Sequence, residues 1–147
     1  MNQDETAHRG EWAGGWFTVE RADVRILVEM SGEPEPEAFD AVYQAAAALD
    51  QKRETTAMLM DLTRLNGAEF DISDIHRMIV SIRTWFPRPP GYRIAVVAVG
   101  PFMESVGQLF LTSRDVLSSV PESSRSPTEL FRTMEDAIGW LNESPTV

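Results

Sequence analysis

The stretch from Ala57 to Ser73, AMLMDLTRLNGAEFDIS, runs from an apolar strand through a glycine-bearing loop to the expected start of a helix, and crowds chemistry-bearing side chains at that passage. Asp61, Thr63, Arg64 and Asn66 follow an apolar run, and Asp71 and Ser73 stand where a helix is expected to begin. Carboxylates and hydroxyls in that position can do two things. They can satisfy the orphan amides of a strand end and a helix start, with Asp71 or Ser73 as an N-cap worth about 1 kcal/mol. They can also form a site, because the carboxyl edge of interior strands is where ligands of open parallel sheets bind. On that second reading Ser73 and Thr63 are the candidate phospho-acceptors. The candidate ligand or partner surface is Asp61, Arg64, Asn66 and Asp71, with Gly100 and Phe102 arriving from a neighbouring strand.

Enzymatic constellations are missing from the sequence. His8 and His76 are the two histidines, and neither stands in an H-x-H, HExxH or relay spacing. No G-x-S-x-G elbow occurs, and the glycines of GPFMESVG are too far apart to cradle a phosphate. With no cysteine there is no thiolate nucleophile and no disulfide framework. No catalytic residue, metal site or cofactor is therefore assigned. One further candidate is TWFPRPPGY, where Trp85 and Phe86 form either an exposed interface anchor or a lid on the core.

The elements that must position these residues follow from periodicity. Residues 1–15 show no period and are expected to be a flexible leader. Order is expected from Trp16, with one domain over 16–143 and a short tail over 144–147. WFTVER and DVRILVEM read as an antiparallel hairpin, the second alternating Val24, Ile26, Val28 and Met30 against polar neighbours. A helix over 35–53 aligns Phe39, Val42, Ala46 and Leu49, with Lys52 and Arg53 at its carboxyl end. TTAMLMDL and YRIAVVAV read as strands buried on both faces. Helices are expected over 73–86 and 102–118. TELFRT is a last strand, and Thr133 caps a last helix with Met134, Ala137, Ile138 and Leu141 inward. Strands alternating with helices imply an α/β domain: a mixed five-stranded sheet with an antiparallel N-terminal hairpin edge, the remaining strands mainly parallel, and four helices.

The order of elements carries three local patterns: Asp61-Leu62-Thr63 at a strand end, Arg93-Ile94-Ala95-Val96-Val97 as a strand, and Phe131, Glu135, Asp136, Ala137, Trp140 and Leu141 at the end. Together they resemble the SpoIIAA-like, or STAS-like, family of small bacterial proteins over about residues 16–143. The resemblance implies a non-catalytic, protein-binding regulatory module of the partner-switching type. It also implies a phospho-acceptor at the helix after the mid-chain strand, which falls on Ser73 here. Ile72 and Asp74 depart from the small residue and glycine usual around that acceptor.

A net charge of −10 opposes broad nucleic-acid binding, which requires a basic stripe. The charge is uneven: the first third is strongly acidic, while the middle carries Arg64, Arg77, Arg83, Arg88 and Arg93. No apolar run is long enough to span a bilayer, and no leader of secretory type opens the chain, so a cytoplasmic protein is expected. A protein partner is expected, and a homodimer through the face near Trp85 is a further option. The alternative from another class is a carrier or sensor of a small apolar or acyl ligand, suggested by the aromatic and methionine content of the second and third helices.

Overall fold

The computed structural model describes residues 6–33, 35–66, 73, 77, 84, 91–100 and 128–143. Its sheet contains β1 (Ala7–Trp12), β2 (Gly15–Ala22), β3 (Arg25–Gly32), β4 (Ala57–Leu65), β5 (Arg93–Val97) and β6 (Thr128–Phe131). They lie side by side in chain order. β1–β2 and β2–β3 pair antiparallel, and β3–β4, β4–β5 and β5–β6 pair parallel. Two helices have defined bounds among the described residues, α1 (Pro36–Leu49) and α2 (Met134–Asn142).

The expected sheet thus gains a strand. β1 lies in the segment expected to be a leader, and order extends back to at least Thr6, whose carbonyl accepts from Arg21 N at 2.6 Å. Charged residues hid it: AHRGEW has no apolar alternation because one face of this edge strand meets solvent and the other carries Gly10. The ring of Phe17 occupies the space a side chain at Gly10 would fill, since a Cβ there would lie 2.3 Å from two of its carbons. The helices expected over 73–86 and 102–118 fall outside the described residues, except that Ser73, Arg77 and Thr84 are helical.

α1 begins at Pro36, where the ring fixes φ and the absent N–H has no intrahelical partner to lose. Phe39, Val42, Ala46 and Leu49 form its buried stripe, as the spacing predicts. The helix stops at Leu49, earlier than expected, because Asp50 turns the chain. Lys52 and Arg53 therefore lie beyond its end, with Arg53 at φ +54°. Phe39 packs with Phe17, Ile26, Met30 and Met58 on one sheet face. On the other face α2 sets Ala137 and Leu141 against Ala57, Leu59, Ala95 and Val97. β4 and β5 are consequently covered on both sides, the condition under which strands read as continuous apolar runs.

Two expectations about individual side chains are corrected. Val24 sits in the β2–β3 turn beside Asp23, which has φ +57°, and is exposed, so the alternation begins at Ile26. Met134 and Ile138 are exposed, since α2 contacts the sheet through the narrower stripe of Ala137 and Leu141, flanked by half-buried Trp140. Thr133 caps α2 as predicted, its hydroxyl accepting from Asp136 N at 3.1 Å. At the other end Arg93 donates to the carbonyls of Trp140 (2.7 Å) and Glu143 (3.0 Å), and its guanidinium lies 5.1 Å from the Trp140 ring. This supplies the cation that a helix C-terminus favours.

Candidate functional site at the carboxyl edge of β4

β4 leaves the sheet irregularly, and the irregularity determines what the site presents. Glu29 of β3 is level with Asp61, but Ser31 is level with Arg64, so β4 carries one residue more than its neighbour between these points. Such a bulge breaks the alternation of side chains. Leu62 and Leu65 both remain in the core under α1, and the two residues between them, Thr63 and Arg64, are turned away from it.

Asp61 stabilises this bulge. Its Oδ1 accepts from Thr63 N at 3.0 Å and from the Thr63 hydroxyl at 2.7 Å, a local side-chain-to-backbone arrangement of the kind that competes with regular strand geometry. Arg64 reaches across to Glu29 at 2.5 Å. Both side chains are substantially exposed, so the pair contributes about 0–1 kcal/mol, and its larger effect is to set acid and base side by side on the sheet edge. Asn66 extends the ladder through its N–H to the Gly32 carbonyl at 3.0 Å, while its side chain is exposed. Gly32 adopts φ +114° at this point, and a Cβ there would lie 2.2 Å from the Gly14 carbonyl oxygen, so the turn between β1 and β2 closes against the same edge.

Of the residues singled out from the sequence, Asp61, Thr63, Arg64 and Asn66 lie together on this edge, with Leu62 and Leu65 between them in the core. Gly100 is exposed just beyond the end of β5, with φ +67°. Because β5 lies beside β4 in parallel, with Met60 level with Val96, Gly100 emerges from the same edge of the sheet. Ser73 is helical and exposed. Asp71, Phe102, Trp85 and Phe86 lie outside the described residues. Arg77 lies beside α1, donating to Glu37 in the first turn of α1 at 2.7 Å. That bond and the positive charge hold the Glu37 carboxyl below its ordinary value of 4.5.

Two polar arrangements were not anticipated. Glu29 was read only as a polar step in an alternating strand, and its pairing with Arg64 depends on the register between β3 and β4. Asp50, Thr55 and Tyr92 form a buried group at the opposite edge of the sheet. Asp50 accepts from Glu54 N (2.9 Å), Thr55 N (3.2 Å) and the Thr55 hydroxyl (2.5 Å), and that hydroxyl lies 3.1 Å from the Tyr92 hydroxyl. The group ties the end of α1 to the start of β4 and to the residue before β5. The signal in the sequence was an acid at the end of an apolar helix, followed by a Thr at the mouth of an apolar strand. Among the described residues no group of His, Asp and Glu is placed to hold a metal ion, and no helix is long and apolar enough to cross a membrane.

No protein-family model matches the sequence, and no curated protein matches it. Solved structures do. The chain is similar to the crystal structure of an anti-sigma factor antagonist from Mycobacterium paratuberculosis, with a TM-score of 0.55 and 19% identity over 97% of this chain and 98% of that one. Weaker likenesses are to an uncharacterised DUF3478 protein with a SpoIIAA-like fold from Shewanella loihica, at TM-score 0.48 and 17% identity over 96% and 98%, and to phosphorylated SpoIIAA from Bacillus, at 0.43 and 13% over 86% and 99%. The fold is SpoIIAA-like, as the sequence resemblance implies. Among the described residues its sheet has six strands where five were expected.

Proposed function

We propose that the protein is a regulatory module that works by binding another protein at the carboxyl edge of β4 and β5. The observation that carries this reading is its fold likeness, over nearly the whole of both chains, to an anti-sigma factor antagonist. The geometry of the edge supports it: the bulge turns half-buried Thr63 and exposed Arg64 away from the core, with Glu29, Asn66 and Gly100 around them, a polar surface of mixed charge suited to a protein partner. Charge pairs of this exposed kind contribute more to partner choice and encounter rate than to affinity.

Within this reading Ser73 is the phospho-acceptor in preference to Thr63. Ser73 is exposed. The Thr63 hydroxyl is donated to Asp61, so a phosphate on Thr63 would bring its charge against that carboxylate and undo the bulge. A phosphate on Ser73 adds close to two negative charges to a chain already acidic, enough to repel an acidic partner or recruit a basic one.

Intact mass of protein isolated from its own host tests the acceptor: a phosphate increment is expected, and Ser73→Ala abolishes it. Affinity capture then tests the switch, with Ser73→Ala and Ser73→Glu retaining different partners. Turnover of a metabolite that is lost in Asp61→Ala would overturn the proposal, and a co-purified small apolar molecule would transfer the case to the carrier reading.

A further inference from the structure

Among the described residues β1 is the outer strand of the sheet, and its outward edge has a self-complementary charge pattern. The bond from Arg21 N to the Thr6 carbonyl fixes the phase of the β1–β2 ladder, because residues 6 and 21 stand opposite each other in its register. Hydrogen-bonded pairs alternate along an antiparallel ladder. Gly10 and Trp12 therefore direct their backbone groups toward β2, and Ala7, Arg9 and Glu11 direct their N–H and C=O groups outward. Among the described residues no strand lies beyond them. Such a row is a template for another strand.

Arg9 and Glu11 are opposite in sign, two residues apart, exposed, and on the sheet face opposite α1, level with Thr18 and Trp16. Arg9 is held on that face by the Trp16 ring, 5.0 Å from its guanidinium carbon. Glu11 makes no ion pair among the described residues.

We propose that β1 pairs antiparallel with β1 of a second copy of this chain, about a two-fold axis at Gly10, joining two six-stranded sheets into one. In that register Arg9 stands opposite Glu11 of the second copy, and Glu11 opposite its Arg9. The outward groups of these residues exchange backbone hydrogen bonds. The registers centred on Arg9 or on Glu11 place like charges face to face, which is unfavourable in directly opposed positions. Gly10 suits the centre: the non-hydrogen-bonded pair is the closely spaced one, at about 4.5 Å between Cα atoms, and glycine brings no side chain to it. The Phe17 ring already fills the α1 side of Gly10. The occupant is a second copy because this strand, run back along itself, supplies the opposite charge at both positions.

Sedimentation equilibrium over a range of protein concentrations tests the proposal, with circular dichroism to confirm folding. Wild type dimerises reversibly. Arg9→Glu and Glu11→Arg each turn two attractive pairs into repulsive ones and weaken dimerisation about tenfold or more. The double variant Arg9→Glu/Glu11→Arg restores it, which loss of a merely structural residue would not do. Glu11→Pro removes an outward N–H while leaving the β1–β2 ladder intact, and weakens dimerisation independently of the charge exchange. A wild type monomeric at every concentration overturns the proposal, as does a dimer indifferent to the single exchanges or one the double exchange fails to restore.

Discussion

Replacing Asp50 by Ala should destabilise the protein by about 3 kcal/mol, because hydrogen bonds to a charged acceptor are worth about 1.5–3 kcal/mol each and three are removed, with incomplete additivity and partial rehydration. The three are those from Glu54 N, Thr55 N and the Thr55 hydroxyl. Water replaces the first readily, since Glu54 is exposed, but reaches Thr55 poorly at 4% exposure. In a domain of this size each kcal/mol lowers Tm by about 2–4 °C, so a fall of about 10 °C is expected. Urea unfolding gives the free energy directly, with an unchanged slope showing that compactness is preserved. Asp50→Asn keeps an oxygen for the two amides and loses the acceptor for Thr55, so it should recover about half of the loss. Thr55→Val should cost about 1–2 kcal/mol, and the double variant Asp50→Ala/Thr55→Val should cost less than the sum of the two, since they share a bond. An Asp50→Ala protein within about 0.5 kcal/mol of wild type would refute the view that this group fixes the passage from α1 to β4.

Asp61→Ala removes both bonds that hold the bulge and should cost about 1–2 kcal/mol, with amide exchange accelerated at Thr63 and Arg64 and unaltered at Met58; uniform acceleration would argue against a local role. Gly10→Val should cost about 1–3 kcal/mol, read from urea midpoints, because the new Cβ meets the buried Phe17 ring. Arg93→Leu should lower stability by about 1–3 kcal/mol and shift Trp140 fluorescence, since it removes the guanidinium that donates to the Trp140 and Glu143 carbonyls and lies against the Trp140 ring. Glu37 gains a partner that depresses its pKa, so its contribution is present above pH 4.5 and is lost as pH falls through the folded value. The small gap in stability between wild type and Glu37→Gln at pH 7 should therefore close on acidification, and a gap that persists at low pH would dissociate it from the ion pair with Arg77.

The architecture was legible where burial enforces a pattern. Met58 and Val96 lie in runs so apolar that only strands covered on both faces accommodate them, and Phe39, Val42, Ala46 and Leu49 recur at a spacing only a helix can bury. The Thr133 cap was legible because it is local, an interaction between residues three apart. β1 was not, since an edge strand with a solvent face carries no apolar alternation, and the glycine that makes it fit is explained by Phe17 on the neighbouring strand. The same limit applies to the site. Asp61 and Thr63 could be seen as neighbours in the chain, but their direct bond, the bulge that turns Thr63 and Arg64 outward together, and the meeting of Arg64 with Glu29 all depend on the register between β3 and β4. Periodicity records which face of an element is buried, because each residue's solvation is decided locally. Which side chains meet is decided by register and packing between segments distant in the chain, and that was fixed only when the sheet was assembled.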